Sequence, residues 1–255
     1  MTIDEAVEIL WTSAQKGVHY PQALHGQLRL DEAYRVQLGV LGRALQGGET
    51  HAGWKIGLSA EAIRAMYNVK DPAFGYLLAS RHFPSGHSFR GADMRKPAIE
   101  AELCFTFKQD VRGPGVTREQ ILLALDAVAP AFEIVDLRGN MAADLPLGVA
   151  DNVAQWAYVT ADQVQPYPRH LELGEVTVTV TRNGETVMQG RGVEVIDNQL
   201  ASLAWLANQL AAYGAWLTAG QCVMTGSFTK PLPVTPGERW EASFSSVGSV
   251  STTFV

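Results

Sequence analysis

Between Pro97 and Phe107 runs an eleven-residue apolar stretch whose only charges are two glutamates two positions apart, Glu100 and Glu102. In a strand, side chains alternate between faces, so both carboxylates point one way while Ala101, Leu103, Phe105 and Phe107 line the other. Like charges this close raise each other's pKa, and burial adds a desolvation cost. Two readings follow. Either the glutamate face is solvated, or the pair shares a cation, for which a hard divalent metal held by oxygen ligands is the natural choice. The spacing E-x-E does not by itself decide between them.

The chain around this stretch is that of an ordinary globular protein. Its 255 residues, 47% hydrophobic and 18% charged, suffice for one large core or two modest ones. The net charge of -6 is spread along the sequence with no Lys/Arg cluster, which argues against nucleic acid as a partner. Cys104 and Cys222 each lie in an apolar run, the pattern of buried thiols in a reducing compartment. The acidic start Met1 to Glu8 lacks the basic and apolar regions of a signal peptide. No apolar run approaches the ~18 residues needed to cross a bilayer. A cytoplasmic protein without a membrane partner is the expectation.

Residues 1–50 read as a helical N-terminal portion. Thr2 and Glu5 form a capping box, and an amphipathic run from Asp31 carries Ala33, Val36, Leu38, Leu41 and Leu45 up to Gly47-Gly48. Residues 51–255 read as one β-rich domain, with closely spaced glycines among short apolar pieces. Within it, Thr117 to Val128 is expected to be a helix, ending at Ala129-Pro130 and feeding a strand from Ala131 to Val135. Alternating Val176, Val178 and Val180 lead to Asn183-Gly184, a two-residue hairpin turn into Thr186 to Met188. A late helix from Gln199 to Tyr213 buries Leu203, Leu206 and Leu210 and stops at Gly214; strands close the chain.

Glu133 follows Glu102 by the span of one strand, loop and helix, so a neighbouring strand can bring a third carboxylate beside the pair. With no His close by in sequence and Cys104 the one thiol near the pair, the donors are mostly carboxylate oxygens rather than the set that favours zinc, and such a site suits Mg²⁺ or Mn²⁺. Asp136 and Arg138 read as an ion pair at the strand end. Lys55, in Gly53-Trp54-Lys55-Ile56-Gly57, is either a snorkelling lysine or a functional one. Burial alone would lower its pKa towards proton transfer; nearby carboxylates would keep it charged and able to hold an anion. The six histidines are scattered, without a His-x-x-x-His pair, and neither a Gly-x-Ser-x-Gly elbow nor a phosphate-binding Gly-Lys-Ser/Thr loop is present.

Six segments occur in one order: Gly53 to Leu58, Pro97 to Glu102, Phe132 to Asp136, Ala150 to Asn152, Met224 to Thr229 and Gly248 to Ser251. On these the chain resembles the fumarylacetoacetate hydrolase superfamily, in the branch of 2-keto-4-pentenoate hydratases and 4-oxalocrotonate decarboxylases. The resemblance implies an α+β fold, with a β-rich C-terminal domain and a smaller helical N-terminal portion. It implies Mg²⁺ or Mn²⁺ on Glu100, Glu102 and Glu133, a catalytic Lys55, and substrate contacts from Lys55, Ser227 and Thr229. It also implies a homo-oligomer, with a sister hydratase or decarboxylase as a further partner, and 2-hydroxy-dienoic or 2-oxo-enoic acid substrates from aromatic-ring breakdown.

Two departures stand out. Hydratases of this branch carry an acidic residue where this chain has Ala73, and alanine cannot accept a proton from water; decarboxylases look apolar there. Arg182-Asn183-Gly184 and Gly226 to Pro231 look more like the hydratase side. Val195 to Asn198 also departs from the histidine-proline motif found before the late helix. The expected activity is a metal-dependent lyase of hydratase type, with decarboxylation through the same enolate as the alternative. A non-catalytic binding subunit is the reading from another class, and hydrolysis of an acylpyruvate would need a His-carboxylate base that the sequence does not place. Lys230 and Arg191 are candidate contacts for a second carboxylate, with solvation as the plainer reading.

Overall fold

The computed structural model describes residues 1–162, 165–168, 171–195 and 199–255. Helices α1 (Ile3–Gln15) and α2 (Leu30–Gln46) come first. The capping box is present as read: the Thr2 amide donates to Glu5 and the Glu5 amide to the Thr2 hydroxyl. Strand β1 (His51–Gly57), helix α3 (Glu61–Met66) and strands β2 (Ala73–Leu78), β3 (His82–Pro84) and β4 (Ser88–Phe89) follow. The glutamate strand is β5 (Pro97–Phe107), joined through α4 (Arg118–Ala124) to β6 (Leu125–Asp136). After α5 (Leu145–Ala150) come β7 (Gln155–Thr160), β8 (Gln165–Pro166), β9 (Thr177–Arg182) and β10 (Glu185–Arg191). Helices α6 (Gly192–Val195) and α7 (Gln199–Ala211) precede β11 (Cys222–Met224), β12 (Leu232–Pro233), β13 (Arg239–Phe244) and β14 (Gly248–Phe254).

Among the described residues the strands form two sheets. The larger runs β2-β1-β11-β5-β6-β7-β3, with β12 added beside β5 and β8 beside β6; the smaller runs β10-β9-β13-β14-β4. Alternation gives the larger sheet two distinct faces. Trp54, Ile56, Phe74, Phe105, Phe132 and Val159 belong to the main core, shared with the N-terminal helices and the smaller sheet. Leu77, Cys104, Ala131, Tyr158 and Met224 meet on the other face, although they come from five different strands. They can touch only because the sheet curls, bringing β2 towards β7. Glu100, Glu102, Glu133 and Lys55 are in phase with this inner face.

Two sequence expectations are corrected. The helix begins where Thr117 caps it but stops at Ala124, and residues 125–130 are already strand, paired with β5 as far as Phe107 opposite Leu125. A helix to Val128 would leave the end of β5 without a partner on that side. Pro130 is tolerated inside this strand because its carbonyl accepts from Ala161, just past the end of β7. Its missing N–H points to that same side, away from β5, so the ladder between β5 and β6 loses no bond. The second correction concerns Arg138, which pairs with Asp151 at 2.9 Å rather than with Asp136. Asp136 instead accepts from the amides of Arg95 and Lys96.

The hairpin at Asn183-Gly184 is present, with φ of 53° and 85° and Glu185 opposite Arg182. Its geometry is that of a two-residue turn with both centres left-handed. Gly214 ends the late helix region at φ 71°. No helix of the described residues is long and apolar enough to cross a membrane.

Gly53 is the tightest point of the larger sheet. Its φ is 148°, and a Cβ there would sit 1.9 Å from the Cys222 carbonyl oxygen of the parallel partner strand β11. Replacing it with alanine combines backbone strain with a main-chain clash, and the expected loss is about 3 kcal/mol or more. Gly42, inside α2 with open space around it, is the contrast: Gly42→Ala is expected to add about 0.5–1 kcal/mol. Urea denaturation of both variants checks the pair of signs.

Candidate metal centre and adjoining cavity

Three neighbouring strands and a fourth element build the centre. Glu100 of β5 lies directly opposite Glu133 of β6, and Glu102 follows one pleat along β5. On the other side of β5, β11 sets Met224 opposite Cys104, and Met224 is in turn level with Lys55 of β1. Lys55 therefore reaches the glutamates across β11, which presents no charge of its own. A Cβ on Gly57 would lie 3.1 Å from the Lys55 ammonium, so the bare backbone there leaves the room that the lysine occupies.

Each of Glu100, Glu102 and Glu133 offers a carboxylate oxygen within 4.8 Å of the others. Glu133 is fully buried, Glu102 and Lys55 are 1% exposed, and Glu100 opens towards a cavity. Lys55 Nζ stands 3.1 Å from Glu133 Oε1, an ion-pair distance. Neither oxygen of Glu133 nevertheless has a partner at hydrogen-bond geometry. Glu102 accepts from the Gly226 amide at 3.0 Å. The Met224 to Thr229 segment thus contributes a backbone donor to the cluster.

The electrostatics follow from burial. Desolvation, then the charge of Glu133, pushes Glu100 up to about 7, against the pull of Lys55. Glu102 is raised well above the usual carboxylate range by desolvation and by both neighbouring glutamates. Glu133 is also raised by desolvation, with Lys55 opposing. For Lys55, desolvation works against the charge, but Glu133, Glu100 and Glu102 outweigh it and the pKa moves up. Between the two sequence readings of Lys55, the structure selects the charged one. One ammonium against three ionised carboxylates leaves two negative charges without compensation. An all-oxygen donor set with orphaned buried acceptors is what a hard divalent cation requires, so the residues fit such an ion.

The centre floors a cavity of about 650 Å³. Lys55, Glu100, Glu102, Ser227 and Thr229 all line it, so the structure brings the expected site residues together there, with Glu133 behind them. The Ser227 hydroxyl approaches the Ala101 carbonyl at 3.4 Å and accepts from the Thr229 amide at 3.1 Å. Lys230 stands exposed at the rim. Arg191 does not line the cavity and pairs with Glu175. Ala73 is buried on β2 opposite Gly57 and does not line the cavity either. Of the divergent stretch Val195 to Asn198, residues 196–198 lie outside those described.

Sequence reasoning missed Tyr67, Val153 and Ala154. Tyr67 lines the cavity, its phenol raised by burial and by the Glu100 charge. Asn152, Val153 and Ala154 form three consecutive left-handed residues, with φ of 60°, 51° and 60°, the last two of which line the cavity. The turn is held by Asn152, which bonds both the amide and carbonyl of Tyr76, and by the Arg138–Asp151 pair beneath it. Strain of this kind persists only where the surroundings over-determine it, and it marks functional walls. The Asp151-Asn152 dipeptide was the visible signal; Tyr67 and the strained valine had none.

A profile of the fumarylacetoacetate (FAA) hydrolase C-terminal family matches residues 53–255. A 2-hydroxyhexa-2,4-dienoate hydratase of Comamonas testosteroni is 34% identical over 233 residues, covering 90% of this chain and 88% of the relative. A 4-oxalocrotonate decarboxylase of Pseudomonas sp. (strain CF600) is 35% identical over 225 residues, covering 88% and 85%. The solved 4-oxalocrotonate decarboxylase from Pseudomonas putida G7, complexed with magnesium and adipate, superposes with a TM-score of 0.93 at 30% identity, covering 100% of this chain and 99% of that one. With the acidic cluster, the curled sheet and these likenesses in agreement, the chain belongs to the fumarylacetoacetate hydrolase family, in its hydratase and decarboxylase branch.

Proposed function

We propose that the protein is a divalent-metal-dependent lyase acting on a 2-hydroxy-dienoic or 2-oxo-enoic acid, of the 2-keto-4-pentenoate hydratase type. The observation that carries this reading is the convergence of Glu100, Glu102 and Glu133 with a charged Lys55 at the floor of a cavity. Glu100, Glu102 and Glu133 would hold Mg²⁺ or Mn²⁺, which supplies a fixed positive charge for the carboxylate and 2-oxygen of the substrate. Relatives named for such acids, and a neighbour complexed with magnesium, support the same assignment.

The chain's own residues do the rest. Lys55, kept protonated by its carboxylate neighbours, faces the cavity and is placed to give a proton to a substrate carbon and to take back the proton of the enol hydroxyl, so that it ends charged as the dienol becomes the 2-oxo form. Its buried partner Glu133 holds the ammonium in place and stabilises its charge. Ser227 and Thr229 bind the anionic head from the polar side of the cavity. A homo-oligomer belongs to the same reading and rests on the family alone.

Decarboxylation through the same enolate is the second reading; Ala73 matches the apolar residue of that side of the branch, although it lies buried outside the cavity lining. Among the described residues, Glu100 and Glu102 are the only acidic side chains lining the cavity, and no histidine lines it. The lack of a histidine argues against acylpyruvate hydrolysis. Incubation with 2-hydroxypenta-2,4-dienoate is expected to give the hydrated 2-oxo acid in Mg²⁺ and nothing in EDTA. CO₂ release from 4-oxalocrotonate, with no hydration of the dienoate, would establish the decarboxylase instead.

Two further outcomes are expected. With Glu100 raised from its ordinary 4.5 to about 7, the metal-free fold is penalised progressively as pH rises through that window, and a bound cation relieves it. Added Mg²⁺ should therefore raise Tm more at pH 8 than at pH 6, where the ion competes with a proton; equal shifts in thermal scans would count against the cluster as the site. Lys55→Met should lower turnover by about 10²–10⁴-fold while Mg²⁺ still binds by calorimetry. Unchanged turnover would remove Lys55 from the chemistry.

A further inference from the structure

The cavity above the carboxylate cluster is lined by side chains of two unlike kinds. Ser227, Thr229, Gln189 and Lys230 are polar. Leu137, Met141, Val153 and Met188 are apolar, joined by Ile63 and Met66 of α3. Helix α3 has no buried residue, and Met66 is 77% exposed. Its cation is turned away: Arg64 Nη1 bonds the Ser59 carbonyl and does not line the cavity. A short helix that offers Ala62, Ile63 and Met66 to a cavity, with Ala62 and Met66 exposed and Ile63 only half-buried, gains further apolar contact when something fills that space.

The size of the cavity points the same way. A five-carbon 2-oxo acid has eight non-hydrogen atoms, which at roughly 30 Å³ each fill on the order of 240 Å³. That is less than half of the 650 Å³ present. The cations complete the argument. Lys55 is buried against Glu133, Arg191 pairs with Glu175 outside the cavity, and Lys230 is exposed to solvent at the rim. Among the described residues, a second carboxylate on the substrate's far end would lose water against methionine and leucine side chains with no further buried cation lining the cavity to pair with it.

We infer that the far end of the cavity is a hydrocarbon subsite, and that Met66, Met141 and Ile63 select 2-oxo acids with an alkyl tail longer than that of a five-carbon acid over tails ending in a carboxylate. The inference rests on the functional reading above for the placement of the acid head. Methionine suits the role, since its flexible side chain adapts to tails of different length.

The test is a binding ladder that needs no turnover. Saturated 2-oxo acids from 2-oxobutanoate to 2-oxoheptanoate, titrated by calorimetry into the Mg²⁺-loaded protein, should gain about fourfold in affinity per methylene. 2-Oxoadipate should bind at least tenfold more weakly than 2-oxohexanoate, which has the same chain length. Met66→Ser, on an exposed position, should flatten the long-chain end of the ladder while leaving 2-oxobutanoate binding in place. Met141→Lys should reverse the preference between 2-oxoadipate and 2-oxohexanoate. A flat ladder in the unmodified protein, or tighter binding of 2-oxoadipate, overturns the inference. An intact ladder in a protein that turns over no dienoate of any tail supports the subsite and tells against the lyase reading instead.

Discussion

Three carboxylates and one ammonium held out of water inside a curled sheet set the terms for everything around them. Each glutamate is raised by desolvation and by its neighbours, and Lys55 answers for only one of the charges. Such a cluster is costly to a fold that gains nothing from it. The surrounding structure is correspondingly rigid: β5 is paired along its length with β6, Gly226 donates to Glu102, and the opposite faces of the same strands are anchored by Phe105, Phe107, Phe132 and Ile134 in the main core. Aromatic packing thus holds the three carboxylates still, as a bound ion would require.

Much of this was legible in the sequence, for reasons that can be traced residue by residue. Strict alternation from Ala98 to Phe107 told which side chains would share a face, and the structure puts Ala101, Leu103, Phe105 and Phe107 in the core opposite the glutamates. The interval from Glu102 to Glu133 matched one strand, loop and helix, and the two strands are neighbours. The six ordered segments pointed to the family, and the FAA hydrolase C-terminal match over residues 53–255 bears that out.

What was not legible depends on contacts between distant parts of the chain. The helix expected to reach Val128 gives way at Ala124 because β5 captures residues 125–130, a demand that local periodicity cannot express. Arg138 bonds Asp151 rather than its near neighbour Asp136 because the strained turn at residues 152–154 brings Asp151 back beneath it. The distance from Lys55 to Glu133 was beyond sequence reasoning for the same reason. Strand β11 is inserted between their strands, and nothing within either segment announces it.

That insertion has a temporal side. Strand β1 runs parallel to β11 with Gly53 level with Cys222, so the two are separated by roughly 170 residues of chain. On a ribosome, the lysine emerges long before the strand that joins it to the glutamates, and until then β5 and β6 hold their acidic face without it. Distant pairings of this kind close slowly, so the nascent chain carries its unbalanced charge from the completion of β6 at Asp136 until β11 at Cys222 is made. Solvent or free ions must shield it until residues 222–224 arrive.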